Sequence, residues 1–237
     1  FLGGKRVEDD ILILGGGAAG LMAAIAAKRA APGARVTILE AGDRVGKKIL
    51  STGNGRCNLT NLRARAGDYA PAPVGAVLGQ FPPERVLAAF AQMGLCFREE
   101  EDGRVYPASD AASSVLDALR LTCAHLGVRE RTGFLAVRAR RGREGFALEA
   151  EGGARAQGAR LLLATGGKAG SRVSGYDVAG QLGHSVTRLL PGLAPLKTDG
   201  AGLKGLNGVR CRCAASLVQG GRTLLREAGE VLFKDYG

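Results

Sequence analysis

Three glycines and one glutamate near the start of the chain have the spacing of a dinucleotide-binding site. Gly15, Gly17 and Gly20 form G-x-G-x-x-G, and Glu40 lies twenty residues beyond Gly20. In this pattern the first glycine makes a tight turn, the second lets backbone approach a pyrophosphate, and the third permits close helix packing. An acid after the second strand of such a unit accepts hydrogen bonds from ribose hydroxyls. The spacing predicts NAD or FAD equally well, and Glu40 argues against the 2′-phosphate of NADP in this unit.

A polar loop, residues 45–61 (VGKKILSTGNGRCNLTN), supplies further groups that suit an anionic ligand. Its cations, side-chain donors and glycines are Lys47, Lys48 and Arg56, then Ser51, Thr52, Asn54 and Asn58, then Gly53 and Gly55. Side-chain donors and free backbone N–H groups can follow an extended dinucleotide and reach a ring system. Long loops inside compact domains are usually functional. The loop therefore favours FAD over NAD, with an anion-tolerant surface loop as the alternative.

A βαβ unit positions the glycines and the glutamate. Residues 10–14 (DILIL) predict a buried strand, residues 18–31 are rich in strong helix formers, and residues 35–39 (RVTIL) predict a second strand. Pro32 and Gly33 end the helix. A strand, a glycine turn, a helix and a second strand indicate a right-handed crossover and a parallel sheet.

The rest of the chain predicts an α/β fold with a β-rich continuation. The expected elements are a helix at 83–93, a hairpin at 95–106 turning at Asp102-Gly103, a helix capped by Ser109 or Asp110 and ending near Leu126, and a β-meander with a buried strand over 133–164. We expect residues 1–190 to form a Rossmann-like FAD-binding domain with a parallel sheet, helices and a β-meander. We expect residues 191–237 to begin an inserted β-rich domain, with a boundary near Pro191 and a chain truncated at Gly237.

Composition excludes several classes of protein. Apolar residues make up 46% and charged residues 23%, which suits a globular domain rather than a disordered tail. The net charge of +11 suits an anionic partner, but only 5% of residues are aromatic and Trp is absent, so nucleic acid is not the expected partner. The arginines at 129–143 fit the wet face of a strand. The uncharged stretch 11–27 contains three consecutive glycines and follows acidic residues, so no membrane role is expected.

The cysteines and histidines predict no further site. The cysteines are scattered and odd in number, which favours a reducing cytoplasm: Cys57, Cys96, Cys123, Cys211 and Cys213. Cys57 lies in the polar loop, where a redox thiol is conceivable, but a packed thiol is the expectation. With only His125 and His184 in the chain, we predict no metal site. Each histidine is expected to be a helix-terminal charge or a packed imidazole.

Five segments carry a resemblance to a known family. They are GGGAAGLMAA at 15–24, GKKILSTGNGRCNLTN at 46–61, GRVYPAS at 103–109, LLATGG at 162–167 and GHSVTRLLPGLAPL at 183–196. The chain resembles the bacterial NAD(P)/FAD-dependent oxidoreductases described as aminoacetone oxidase-like or bile-acid-reductase-like flavoproteins. The resemblance covers nearly the whole chain, and its STGNGRCNLTN segment is the specific part. The segment GSRVSGY at 170–176 departs from the family because it lacks an acid.

The resemblance implies FAD as the cofactor, with hydride transfer through the flavin to or from a small molecule and NAD(P)H as a possible reductant. It assigns Glu40 to the adenosine ribose, the glycine turn to the pyrophosphate, the loop to the flavin side, and residues 164–166 to the return of the chain beneath the cofactor. The predicted cofactor-binding set is Gly15, Gly17, Ala18, Ala19, Gly20, Glu40, Lys47, Lys48, Gly53, Asn54, Gly55, Arg56, Asn58, Val137, Ala164, Thr165 and Gly166. No catalytic acid or base is predicted. An NAD-binding dehydrogenase and a flavoprotein that binds or modifies RNA stay open as alternatives.

Overall fold

The first forty residues fold as a strand, a helix and a parallel strand, as predicted. β1 (Asp9–Leu14) leads through the glycine turn into α1 (Ala18–Ala30), and β2 (Val36–Leu39) then pairs with β1 in parallel. The computed structural model describes residues 8–69, 73–167, 175–190, 196–198, 202–203 and 205–234. Lys28, in the last turn of α1, donates to the carbonyl of Pro32 at 2.6 Å, which satisfies backbone beyond the end of the helix.

Helices and strands follow, several of them in consecutive runs of one type. In chain order they are a 3₁₀ helix (Ile49–Gly55), β3 (Thr60–Asn61), a 3₁₀ turn (Ala66–Asp68), α2 (Pro73–Gln80), α3 (Pro83–Ala91), β4 (Phe97–Glu99), β5 (Arg104–Pro107), α4 (Ala112–His125), β6 (Arg129–Arg131), β7 (Ala136–Gly142), β8 (Gly145–Ala150), β9 (Arg155–Leu163) and α5 (Gly175–Gln181). Strands β3, β5 and β4 form a small antiparallel sheet that contains the predicted hairpin.

A six-stranded sheet in the order β6-β2-β1-β9-β8-β7 organises the described part of residues 1–186. Strands β6, β2, β1 and β9 are parallel, and β7, β8 and β9 form the predicted antiparallel meander. β9 belongs to both halves, because its first residues pair with β8 and its last residues pair with β1. The α/β fold class with a Rossmann-type parallel sheet is therefore confirmed.

Two apolar clusters cover the two faces of this sheet. Ile13 and Ile38 pack with α1 and α4 on one face, whereas Leu12 and Leu14 pack with the meander and α5 on the other. Successive side chains of a strand point to opposite faces, so β1 is buried on both sides. Burying one leucine or isoleucine side chain contributes about 1.5–3 kcal/mol to the free energy of folding. Burial on both sides therefore stabilises β1 between the two clusters.

Two expectations about these elements are wrong. The segment 161–163 is not fully buried, because Leu162 is 44% exposed while its neighbours pack against the meander side of the core. Ser109 and Asp110 do not cap α4, whose N-cap is Ala111 without a side-chain hydrogen bond. Asp110 has a positive φ of 59°, and its carboxylate pairs with two arginines instead of with the first turn of α4.

A buried carboxylate ties the strands together at the amino-terminal edge of the parallel sheet. Asp9 is 3% exposed, accepts the Thr37 hydroxyl at 2.7 Å and pairs with the guanidinium of Arg129. A buried charge is tolerated when it is paired and hydrogen-bonded, as it is here. Asp9 therefore links β1, β2 and β6 at the edge opposite the glycine turn.

Residues 187–237 form a separate unit in which the described strands are one antiparallel ribbon. β10 (Arg210–Gln219) pairs with β11 (Arg222–Leu232), with a register shift between Leu217 and Val218. The predicted boundary at Pro191 lies outside the described residues, and the assignment of 191–237 to an inserted domain stays a prediction.

None of the helices in the described part of the chain has the length and hydrophobicity needed to cross a bilayer.

Candidate dinucleotide-binding site

The carboxyl ends of three parallel strands bring the predicted residues to one edge of the sheet. Leu14 at the end of β1 lies between Leu39 of β2 and Leu163 of β9. The backbone N–H of Gly15 donates to the carbonyl of Leu39, and that of Ala164 donates to the carbonyl of Leu14, each at 2.8 Å. The connections after β1 and β9 leave on neighbouring strands of an open sheet, which is where ligands bind in doubly wound folds.

Each of the three fingerprint glycines has a different surrounding. A Cβ atom at Gly15, whose φ is +106°, would lie 2.5 Å from the carbonyl oxygen of Ala164. A Cβ at Gly20 would lie 1.9 Å from the carbonyl oxygen of Gly15, whereas one at Gly17 would meet nothing within 4 Å. The first and third glycines therefore permit close backbone packing. Gly17 borders open space, as the pyrophosphate position requires.

The N-terminus of α1 points at this space without a protein cap. Gly17 is the N-cap residue, no side chain bonds to the first turn, and the first turn contains no acid. Ala18 and Ala19 are exposed. The first N–H groups of a helix have no intrahelical acceptor and carry a partial positive charge, so this terminus suits a phosphate.

Glu40 is held by backbone before any ligand arrives. Its Oε2 accepts the N–H of Gly16 and its Oε1 accepts the N–H of Gly42, each at 2.7 Å. A carboxylate has about four acceptor sites, so both oxygens keep capacity for hydroxyl donors. The carboxylate is thus fixed beside the glycine turn with acceptors still available.

The polar loop at residues 45–61, the dinucleotide loop of the proposed site, is anchored at its start to the glycine turn. The N–H of Gly46 donates to the carbonyl of Gly16 at 2.7 Å, and Val45 is buried. A Cβ at Gly46 would lie 2.1 Å from Leu116 of α4, and one at Gly16 would lie 2.6 Å from Val45. Gly16, Val45 and Gly46 were absent from the predicted set. The three consecutive glycines and the Val-Gly pair were the available signal.

The middle of the loop is an exposed turn with an unusual backbone. Gly53, Asn54 and Gly55 all have positive φ, at 53°, 57° and 88°, and they interrupt the 3₁₀ helix. The exposed residues of the turn and its continuation are Ser51, Thr52, Gly53, Asn54 and Asn58. Successive backbone N–H groups in a turn can bind an anion together, so the backbone of this turn is compatible with an anionic ligand.

The three cations of the loop have different partners. Lys47 pairs with Asp43 at 3.5 Å and is exposed. Lys48 reaches toward the end of β9, where a Cβ at Gly166 would lie 3.8 Å from its Nζ. Arg56 pairs with Glu100 and with Asp110, the latter at 2.5 Å. The Lys48 ammonium thus lies near the predicted segment after β9, whereas Arg56 is neutralised within the protein.

Arg56 lies at the centre of a clamp formed by Arg56, Arg98, Glu100, Tyr106 and Asp110. Its guanidinium stacks 3.9 Å from the ring centroid of Tyr106, and Arg98 closes the network on Asp110 at 3.0 Å. The hydrogen bonds to Glu100 and Asp110 raise the pKa of Arg56 above its ordinary value. The Arg56 hydrogen bond holds the pKa of Asp110 below its usual range. Sequence reasoning missed Glu100, Tyr106 and Asp110 as partners.

Val137 is the predicted residue that the sheet order separates from the glycines. It lies on β7, with β8 and β9 between it and β1. Its carbonyl accepts the side-chain amide of Gln181 at 3.0 Å, and the same amide accepts the N–H of Ala139 at 2.8 Å. The remaining predicted residue, Thr165, contacts α5, because a Cβ at Gly175 would lie 2.2 Å from its hydroxyl oxygen. Most of the 170–176 segment lies outside the described residues.

The thiols and imidazoles form no second constellation in the described part of the chain. All five cysteines are free, and Cys57 is buried at a φ of 59°. Burial raises the pKa of Cys123 to about 12. Within the described ranges no three His, Cys, Asp or Glu side chains are close enough to hold a metal ion. His125 ends α4, and both histidines are exposed.

The parallel sheet, the glycine turn and the acid after β2 define a Rossmann-type dinucleotide-binding domain. Residues 9–232 match the family model described as the HI0933-like protein Rossmann domain. The chain belongs to this family, and the family predicted from the sequence is confirmed.

Two curated relatives and one solved structure place the chain more closely. It is 39% identical over 236 residues to a 3-dehydro-bile acid delta(4,6)-reductase from Clostridium scindens, covering 97% of this chain and 57% of the relative. It is 31% identical over 193 residues to the ribosomal RNA dihydrouridine synthase of Escherichia coli, and this match covers 78% of this chain and 47% of the relative. The chain thus spans about half the length of these relatives. The crystal structure of Thermovibrio ammonificans THI4 shares the fold, with a TM-score of 0.50 and 15% sequence identity. The match covers 75% of this chain and 64% of that chain.

Proposed function

We propose that the protein is an FAD-dependent oxidoreductase that transfers hydride through the flavin to or from a small molecule. The observation that carries the proposal is the contrast at the glycine turn. Gly15 and Gly20 are closed by neighbouring backbone, whereas Gly17 borders open space at an uncapped helix terminus. This pattern suits a ligand whose pyrophosphate lies against backbone N–H groups.

The chain's own residues fit the two ends of such a cofactor. In the proposal, Glu40 accepts the adenosine ribose hydroxyls with the acceptor sites that Gly16 and Gly42 leave available. The first turn of α1 binds the pyrophosphate, and the exposed turn of the dinucleotide loop extends toward the ring system. Bound FAD would supply the two-electron carrier, and the protein would orient ring and substrate.

The reaction class that we favour is reduction of a carbon–carbon double bond conjugated to a carbonyl. Two curated relatives, a 3-dehydro-bile acid delta(4,6)-reductase and a ribosomal RNA dihydrouridine synthase, are named for reductions of this kind. In this reaction a hydride adds to one carbon of the double bond and a proton adds to the other. The two electrons come from NAD(P)H, which is the reductant we propose.

The free cysteines favour a cytoplasmic location.

Purified protein tests the cofactor directly. We expect flavin absorbance, or uptake of added FAD, and release of FAD on denaturation. NADPH or NADH oxidation is then followed with a 3-oxo-Δ4 steroid as the double-bond probe. Tight NADH binding without any flavin would support the NAD-dependent dehydrogenase instead. Protein that neither contains nor takes up FAD would refute the proposal.

A second candidate is a flavoprotein that reduces uridine in RNA. The similarity to a ribosomal RNA dihydrouridine synthase and the net charge of +11 favour it. Electrostatic binding to RNA weakens steeply with salt. We therefore expect salt-dependent retention on ribosomal RNA and formation of dihydrouridine if this candidate is right. Absent or salt-insensitive RNA binding would exclude it.

A further inference from the structure

The contacts of Arg56 differ from those expected of a cofactor-binding cation. It donates through Nε to Asp110 at 2.5 Å and through Nη2 to Glu100, so two carboxylates occupy one edge of its guanidinium. Its side chain is 31% exposed, and the Glu100 side chain is 29% exposed. Charge-assisted hydrogen bonds of partly buried groups are stronger than those of fully exposed pairs.

The clamp is in direct contact with the exposed turn. Tyr106 is buried, and its ring lies under the Arg56 guanidinium on one side. A Cβ at Gly53 would lie 3.5 Å from the same ring, so Tyr106 also supports the turn. Arg56 itself follows three residues of positive φ and precedes a fourth, Cys57. Such backbone persists only where the surroundings hold it.

We propose that Arg56 is a positioning residue: with Glu100, Asp110 and Tyr106 it holds the turn at 51–58 in its ligand-binding conformation and makes no contact with the dinucleotide itself. This inference rests on the proposed function, and it assigns Glu100 and Asp110 to FAD affinity although neither would touch FAD. The turn is anchored from strand β5 and from the segment before α4, which carry Tyr106 and Asp110.

Removing a carboxylate charge changes FAD affinity in opposite directions for a positioning role of Arg56 and for direct contact between Arg56 and FAD. Asp110→Asn removes a negative charge near an anionic ligand and frees the Arg56 charge, so direct contact predicts tighter FAD binding. Positioning predicts weaker binding, on the order of tenfold, because the charge-assisted bond is lost. Asparagine tolerates positive φ as aspartate does, so the backbone at position 110 is preserved. Glu100→Gln is expected to act in the same direction.

The matched control is Asp43→Asn, which also removes a carboxylate that is paired with a cation of the loop. We expect FAD affinity of this variant to be unchanged or higher, because Asp43 and Lys47 are exposed and lie outside the turn at 51–58. Arg56→Lys gives a second comparison. Lysine keeps the charge but lacks the fork that binds two carboxylates. Positioning predicts that Arg56→Lys loses as much affinity as Arg56→Gln.

Hydrogen–deuterium exchange of residues 51–58 without FAD measures the clamp independently of the cofactor. We expect faster exchange in Asp110→Asn and Glu100→Gln than in the wild type or Asp43→Asn. Unchanged exchange overturns the inference, as does tighter FAD binding in Asp110→Asn or wild-type affinity in Arg56→Lys. Wild-type protein that binds no FAD refutes the proposed function alone, since the exchange result still decides whether the clamp holds the turn.

Discussion

Glu40 and Gly16 are joined by a 2.7 Å hydrogen bond from the backbone N–H of Gly16 to the carboxylate. The bond connects the end of β2 to the turn that follows β1, across 24 residues of chain. Gly42 supplies a second N–H to the same carboxylate. The residue predicted to bind a ribose is therefore also part of the framework of the site, and its two roles can be separated by substitution.

Glu40→Ala is expected to lower stability as well as FAD retention. Loss of the carboxylate leaves the N–H groups of Gly16 and Gly42 without their partner, and a buried unsatisfied donor costs about 1–3 kcal/mol. Glu40→Gln keeps a side-chain acceptor and should lose less stability while still weakening FAD binding. Denaturant unfolding and FAD titration on the same samples measure both effects. Wild-type flavin occupancy in Glu40→Ala would remove Glu40 from the site.

Gly17→Val should separate ligand binding from folding. A Cβ at Gly17 meets nothing within 4 Å, so the valine has room in the protein but projects into the space assigned to the pyrophosphate. We expect little change in the unfolding midpoint and a loss of FAD binding. Gly33→Val is the control, because Gly33 is exposed and equally uncrowded. Equal FAD affinity in the two variants would contradict the pyrophosphate assignment.

Gly20→Ala should show the opposite behaviour. The added Cβ would lie 1.9 Å from the carbonyl oxygen of Gly15, so α1 or the turn must shift. Overpacking of this kind costs about 1–3 kcal/mol. Thermal unfolding without FAD measures the loss. A midpoint equal to that of the wild type would show that α1 does not depend on this close approach.

Asp10 gives a pH-dependent contribution to stability. Its carboxylate accepts the backbone N–H of Arg35 at 2.8 Å, and this bond, followed by the Arg35 side chain, holds its pKa below the ordinary 3.8. A lowered pKa in the folded state stabilises the fold above pH 3.8, and the contribution disappears as pH falls through the folded value. The stability difference between wild type and Asp10→Asn should therefore shrink in acid. A difference that grows on acidification would contradict this linkage.

The βαβ unit was predictable because its signals are local. Apolar runs, strong helix formers and a Pro-Gly stop follow each other within forty residues, and the glycine spacing fixes the turn between them. The first and third glycines have the close backbone neighbours that the pattern implies. The meander was equally predictable from its period of two, although its last strand is less buried than expected.

The clamp could not be read from sequence because its partners are remote. Arg56 binds residues 44 and 54 positions away, and such pairings depend on the packing of a hairpin and a helix against the loop. The same contact explains the failed cap. Asp110 precedes a helix and has a good capping side chain, but its carboxylate pairs with two arginines instead of the N–H groups of the first turn. Tertiary electrostatics thus overrode a local preference.

FAD titration of purified wild-type protein beside Gly17→Val tests the proposed function most directly. We predict that the wild type contains flavin or binds added FAD with saturation, and that Gly17→Val remains folded and does not. Absence of FAD binding in folded wild-type protein, or equal binding in both proteins, would contradict the account.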